Sequence, residues 1–259
     1  MIIAACVVTF CQSIDPGSHS CFSVILISRL AIQRPLLEMK NVAGTMRESI
    51  KKRTRGRPAQ SDLVGSDSIL RNARKTFGNR GFEATSVREI ARDSGVDPAL
   101  VAHHFGTKDR LWIAVVEQIA QQMAATIDAT SQLRSSMLNP QERVAQAIIL
   151  FIDQVFEEPD IGMFFSTAAT EEDERLNTLI DKLVRPYYDV LNPLFVEAKR
   201  QNAMCFNDPT LLLFMLLNAI SETVSHSHLL ARFSPLPKHP KRFKQAVIDT
   251  ALRMIGLSA

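Results

Sequence analysis

The sequence predicts an all-α protein, with an N-terminal three-helix helix-turn-helix unit followed by a larger helical body, about nine helices in total. Three observations carry this. Apolar residues recur at spacings of three and four from Ile69 onward, no stretch alternates as a strand would, and capping residues, Gly and Pro punctuate the chain at helical intervals. A length of 259 residues is enough for a small module and a second, larger core.

Residues 1–45 differ from the rest. Ile2–Phe10 is apolar but about half the length a membrane-spanning helix needs, and Arg29 interrupts the apolar stretch Val24–Ile32. No basic segment precedes Ile2, so a secretory signal is not expected. Pro16, Gly17 and Pro35 break the helical period. Residues 1–45 are either a real extension that docks elsewhere or untranslated upstream sequence; Met46 stands directly before a basic arm, and the natural protein is expected to start at Met46 or Met39.

Residues 46–62 form that arm. Arg47–Gln60 has no apolar period and is expected to be disordered in isolation. Its R-G-R-P core at 55–58 resembles the minor-groove AT-hook. A narrow A·T groove concentrates negative potential, so Arg53, Arg55 and Arg57 are candidate DNA contacts.

The helix-turn-helix unit spans 63–107. Its first helix is expected over Ser66–Arg80, capped by Ser66, with Ile69, Leu70, Ala73 and Phe77 inward and Gly81 as its stop; Phe82 would plug the core. Ser86 and Glu89 have capping-box spacing, and Val87, Ile90 and Ala91 mark one buried face. Gly95 stops this second helix where a left-handed residue is wanted. Asp97 then caps a third helix with Pro98 at its first position, where a missing N–H costs nothing. Leu100, Val101 and Phe105 face inward, leaving Ala99, Ala102 and His103 on an outer face of little bulk. Two short helices about a tight Gly turn form a helix-turn-helix, whose second helix enters the DNA major groove.

The body, 108–259, begins with a long helix over Lys108–Ser131, carrying Leu111, Trp112, Val115, Val116, Ile119 and Met123 at helical spacing. Further helices are expected over 141–157, 160–170, 171–201 (kinked by Pro186 and Pro193), 209–231 and 240–257. Asn139-Pro140, Glu158-Pro159 and Asp208-Pro209 mark the breaks. Leu211–Leu217 is seven consecutive apolar residues, which calls for burial on more than one side.

The formal charge of +3 is unevenly distributed. Residues 46–107 hold 12 Lys/Arg against 7 Asp/Glu, whereas 108–259 hold 15 against 18. Positive charge therefore gathers where phosphates would lie. Cys6, Cys11, Cys21 and Cys205 form no C-x-x-C, so free thiols in a reducing cytoplasm are expected. His226 and His228, two apart on a helix, do not share a face. The acidic run Glu171–Glu174 suits a helix start. No G-x-S-x-G, H-E-x-x-H, P-loop or G-x-G-x-x-G occurs. No enzymatic activity, cofactor or metal is expected.

The stretch A-T-S-V-R-E-I-A-x-x-x-G-V-x-x-x-x-V-x-x-H-F-x-x-K-x-x-L resembles the DNA-binding domain of the tetracycline-repressor (TetR/AcrR) family of bacterial regulators, over roughly residues 66–112. Caps, glycine, core positions, His104-Phe105, Lys108 and Leu111 all fall in register. The family usually has a phosphate-contacting Tyr two residues before the His of the H-F pair, and Ala102 stands there instead. The resemblance implies a ligand cavity beside the kinked helix, for which Trp112, Phe151, Phe165 and Tyr188 are the candidate linings. It also implies a dimer interface built from the 211–217 segment with Phe243, Val247, Ala251 and Ile255.

The expected protein is a homodimeric, ligand-responsive transcriptional regulator in the cytoplasm at the nucleoid, a repressor released from a palindromic operator by a small molecule. Its two recognition helices would enter major grooves about 34–36 Å apart. Ser86, Arg88 and Lys108 would contact phosphates, Ala99 and Ala102 would offer methyl contacts, and His103 would be the main polar reader. The competing readings are an activator or ligand-free regulator, an enzyme, and a helical protein-interaction bundle without DNA binding.

Overall fold

The computed structural model describes residues 59–170 and 174–257, with side chains from Gly65 onward. The arm residues Arg53, Arg55 and Arg57, three of the four Cys, the extension and Glu171–Asp173 lie outside the described residues. No strand occurs among those described.

Helix α1 runs Ala59–Arg80, starting seven residues before the expected cap, so Ser66 lies inside the helix. Gly65 weakens those extra two turns, at a cost of about 1 kcal/mol. Helix α2 (Val87–Asp93) begins at Ser86, whose side chain accepts from the Glu89 N–H at 3.2 Å. The reciprocal half of the box is replaced, because the Glu89 carboxylate pairs with Arg80. Gly95 has φ +66°, the left-handed turn that frees the chain to start α3 (Pro98–Phe105). Asp97 caps α3 by accepting from the Ala99 N–H at 2.7 Å.

Helix α4 (Lys108–Leu133) is capped by Thr107 and ties head to body. Ile69, Phe77, Phe82, Ile90 and Val101 of the head pack in one continuous core with Trp112, Val116 and Ile119 of α4 and Phe164 of the body. The expected boundary at 107/108 is therefore a cap rather than a gap in packing.

The second core joins α5 (Pro140–Glu157), α8 (Arg185–Arg200), α9 (Pro209–Ser225) and α11 (Pro240–Met254) through Ile148, Ile152, Leu191, Phe195, Leu213 and Leu252. Helix α6 (Pro159–Ala168) packs on α1 and on α9. The expected single kinked helix is resolved into α7 (Glu174–Leu179), a π turn over Ile180–Val184, and α8. Pro186 has no N–H to continue the ladder, and a widened turn before it absorbs that loss. The predicted 209–231 helix ends at Ser225 and resumes as α10 (Ser227–Leu230).

The two halves of the expected dimer patch part company. Leu211, Phe214 and Met215 are exposed on α9, at 60%, 43% and 64%. Phe243, Ala251 and Ile255, however, are buried within the same subunit, and Val247 is half-buried against that core. Phe243 packs edge-on against Phe156 of α5 at 5.3 Å. The apolar stripe of α11 covers α5, and each large side chain so buried contributes roughly 1.5–3 kcal/mol to folding.

Candidate nucleic-acid interface and the cavity behind it

Ser86 accepts from the Glu89 N–H at the start of α2 and Asp97 from the Ala99 N–H at the start of α3, and these two caps fix where each helix begins on either side of Gly95. The outer side of α3 is then open. Ala99, Ala102 and His103 are exposed, while Val101 is buried, and Phe105 packs half-buried against the head core. The His103 ring rests edge-on against His104 at 5.7 Å. Ser86 and Arg88 are exposed on α2. These five predicted residues share the α2–α3 unit.

Lys108 is differently placed from a simple surface cation. Its ammonium donates to the Thr85 carbonyl at 3.0 Å and to the Glu83 carbonyl at 3.4 Å, and it sits 4.1 Å from the centre of the Phe82 ring. Lys108 thus fastens the α1–α2 loop to α4 and keeps at most part of its hydrogen-bonding capacity for a phosphate.

Behind the head, α4, α5, α6, α8 and α9 border a partly open cavity of about 130 Å³. Phe151, Phe165 and Tyr188 line it, as expected, with Met123, Tyr187 and Phe214. Phe151 and Tyr187 stack at 5.7 Å, and the Tyr188 hydroxyl meets the Thr210 hydroxyl at 2.9 Å. Burial holds the Tyr187 phenol protonated far above its ordinary range, with Thr130 opposing the shift. Trp112 is not on this wall. It is 1% exposed and packs on Phe164 at 5.8 Å in the head-to-body core, because its place on α4 faces α1 and α6.

Sequence reasoning missed Arg74. Counted there among the basic charges of the head, it is 1% exposed and wholly paired. Its guanidinium donates to Asp160 Oδ2 and Oδ1 at 3.0 and 3.1 Å, to Glu158 Oε2 at 2.6 Å and to Gln122 Oε1 at 2.7 Å. One α1 side chain thereby holds α4 and both sides of the α5–α6 junction. At the other end of the contact, the Thr167 hydroxyl donates to the Gly78 carbonyl at 2.7 Å. A signal for it existed in the acidic pair flanking Pro159, but nothing in the spacing linked it to a residue 84 positions earlier.

Residues 69–115 match the sequence profile of bacterial regulatory proteins, tetR family. The chain carries a tetR-family DNA-binding domain. Its tetR-family head is α1–α3 with the first turns of α4, and the register expected from the caps and the His104-Phe105 pair holds. Among curated relatives, the HTH-type transcriptional regulator BetI of Brucella anthropi is 31% identical over 137 residues, covering 51% of this chain and 66% of its own length. The HTH-type transcriptional repressor AcnR of Corynebacterium efficiens is 32% identical over 77 residues, 29% of this chain and 41% of its own. The chain thus spans just under two thirds of the length of the BetI relatives it matches. Among solved structures, the TetR-family regulator PfmR from Thermus thermophilus aligns with a TM-score of 0.56 at 18% identity, over 74% of this chain and 96% of its own. HlyIIR, a hemolysin II transcriptional regulator, gives 0.55 at 20%, over 75% and 98%. The all-α body around the tetR-family head is thus a fold these regulators share.

Proposed function

We propose that the protein is a homodimeric transcriptional regulator, a repressor that leaves a palindromic operator when a small molecule fills the body cavity. The observation that carries this reading is the pairing, in one compact unit, of an open α3 face with an apolar cavity behind the same head. Ala99, Ala102 and His103 read base edges in the major groove, with Ser86, Arg88 and Lys108 on phosphates and the arm residues Arg53, Arg55 and Arg57 in the adjacent minor groove. Two copies associate through α9, where Leu211, Phe214 and Met215 are too large and too exposed to suit a monomer's surface. The protein acts in the cytoplasm without enzymatic activity. Among the described residues, no helix is long and apolar enough to cross a membrane.

A ligand shifts the equilibrium only through unequal affinity for the two arrangements of the heads. Selection of bound sequences from random DNA, followed by metabolite screening for release, tests the proposal. An inverted repeat bound by a dimer and released by a small molecule is expected. No enrichment of any repeat would overturn it, and enrichment without any releasing compound would leave a ligand-free regulator.

A further inference from the structure

The cavity and the head meet at Glu158. Glu158 lines the cavity and also accepts from Arg74 at 2.6 Å, and its side chain is 32% exposed. Arg74 is already matched by Asp160, which takes two of its N–H groups. Two carboxylates therefore face one guanidinium, and the junction carries a surplus negative charge. Among the described residues, no Lys, Arg or His lines the cavity. Its walls are the rings of Phe151, Phe165, Tyr187 and Tyr188, whose faces attract a cation. Gln154, Asn218 and Ser221 are the uncharged polar residues of the lining, and the Gln154 Oε1 already accepts from Thr126 at 2.9 Å. An anionic ligand would meet like charge and find no counter-ion, whereas a protonated amine would find both an acceptor and aromatic faces.

We propose that the cavity takes a lipophilic amine, with its apolar body among the rings and its ammonium on Glu158. An ammonium there competes with Arg74 for the carboxylate and places a second positive charge beside a buried guanidinium. The tie between α1 and the α5–α6 junction loosens, and the head is released from its place on α6. This rests on the reading of the cavity as the effector site.

The test titrates the full chain by calorimetry with three probes of one shape: 4-phenylbutylamine, 4-phenylbutanol and 4-phenylbutyrate. A charge-assisted hydrogen bond gives the amine about tenfold or more over the alcohol, with the carboxylate weakest. In Glu158→Gln the amine falls to the level of the alcohol, while the alcohol binds as before; Asp160 keeps Arg74 paired in that variant. Glu158→Asp, which keeps the charge, retains part of the preference. Equal binding of the three probes, no binding of any, tightest binding of the carboxylate, or an undiminished amine preference in Glu158→Gln each overturns the proposal. Operator selection on the ligand-free protein is read separately, so loss of the regulator reading is distinguishable from loss of the amine.

Discussion

Arg74 and Asp160 form a two-point ion pair across the seam between head and body, Nε to Oδ2 at 3.0 Å and Nη2 to Oδ1 at 3.1 Å. The fork geometry of a guanidinium fixes the orientation of α1 on α6 as well as its position, which a lysine ammonium could not do. Removing Arg74 leaves Glu158 and Asp160 facing each other without a counter-ion. Arg74→Met is expected to lower stability by about 3–5 kcal/mol. Lys182→Ala, which removes the exposed pair with Glu117, should cost less than about 1 kcal/mol. Urea unfolding of both variants checks the contrast, and similar losses would mean that Arg74 is as solvent-screened as Lys182.

Gly78 lets α1 lie close against the backbone of α6. A Cβ built there would lie 3.1 Å from the backbone N of Phe164 and 3.2 Å from its Cα. Backbone cannot swing aside as a side chain tip can, so Gly78→Ala must push the two helices apart. The expected cost is about 1–3 kcal/mol, the usual range for overpacking. Amide exchange should show faster opening in α6 than in α9, and unchanged protection in α6 would reject a tight contact.

His103 and Lys108 should fail in different ways. His103→Ala is expected to cost about 1–3 kcal/mol on the preferred operator and to relax choice at one position per half-site, with no change in melting temperature. Lys108→Ala weakens every sequence about equally and also lowers the melting temperature, because the Thr85 and Glu83 carbonyls lose their donor. Binding-site selection with thermal melts separates the two. Unchanged base preference in His103→Ala would assign specificity to the alanine methyls and to DNA shape.

Salt should report on the arm. With about 6–10 phosphate contacts per dimer, affinity falls about 10³–10⁵-fold between 50 and 200 mM salt. Deleting residues 47–58, up to the start of α1, should flatten that slope and cost most where A·T pairs flank the half-sites. Equal losses on A·T- and G·C-flanked operators would reduce the arm to a general phosphate anchor.

The head was legible from the sequence because its geometry is written in local chemistry. Ser86, Gly95, Asp97 and Pro98 each act within four residues of themselves, and such signals survive without knowledge of the rest of the fold. The start of α1 was not legible, since Ser66 mimics a cap while only one Gly stands against seven more helical residues. Phe151, Phe165 and Tyr188 stand on the wall of one cavity, and the fourth candidate, Trp112, shows the limit of periodicity. Spacing says that Trp112 faces inward but not which of two cores it enters. The same ambiguity assigned the α11 stripe to a partner subunit when α5 takes it. Arg74 was hidden for a further reason: a buried charge looks like any surface charge until its counter-ions, more than 80 residues away, are folded against it.

Trp112 is the chain's single tryptophan, and from α4 it packs on Phe164 of α6 at the seam between head and body. It is the one indole, and red-edge excitation, which the two tyrosines do not absorb, isolates its emission. The protein therefore carries its own optical gauge: a displacement of Phe164 away from the indole face alters fluorescence at one site, and repositioning of the head can be followed in real time without any attached label.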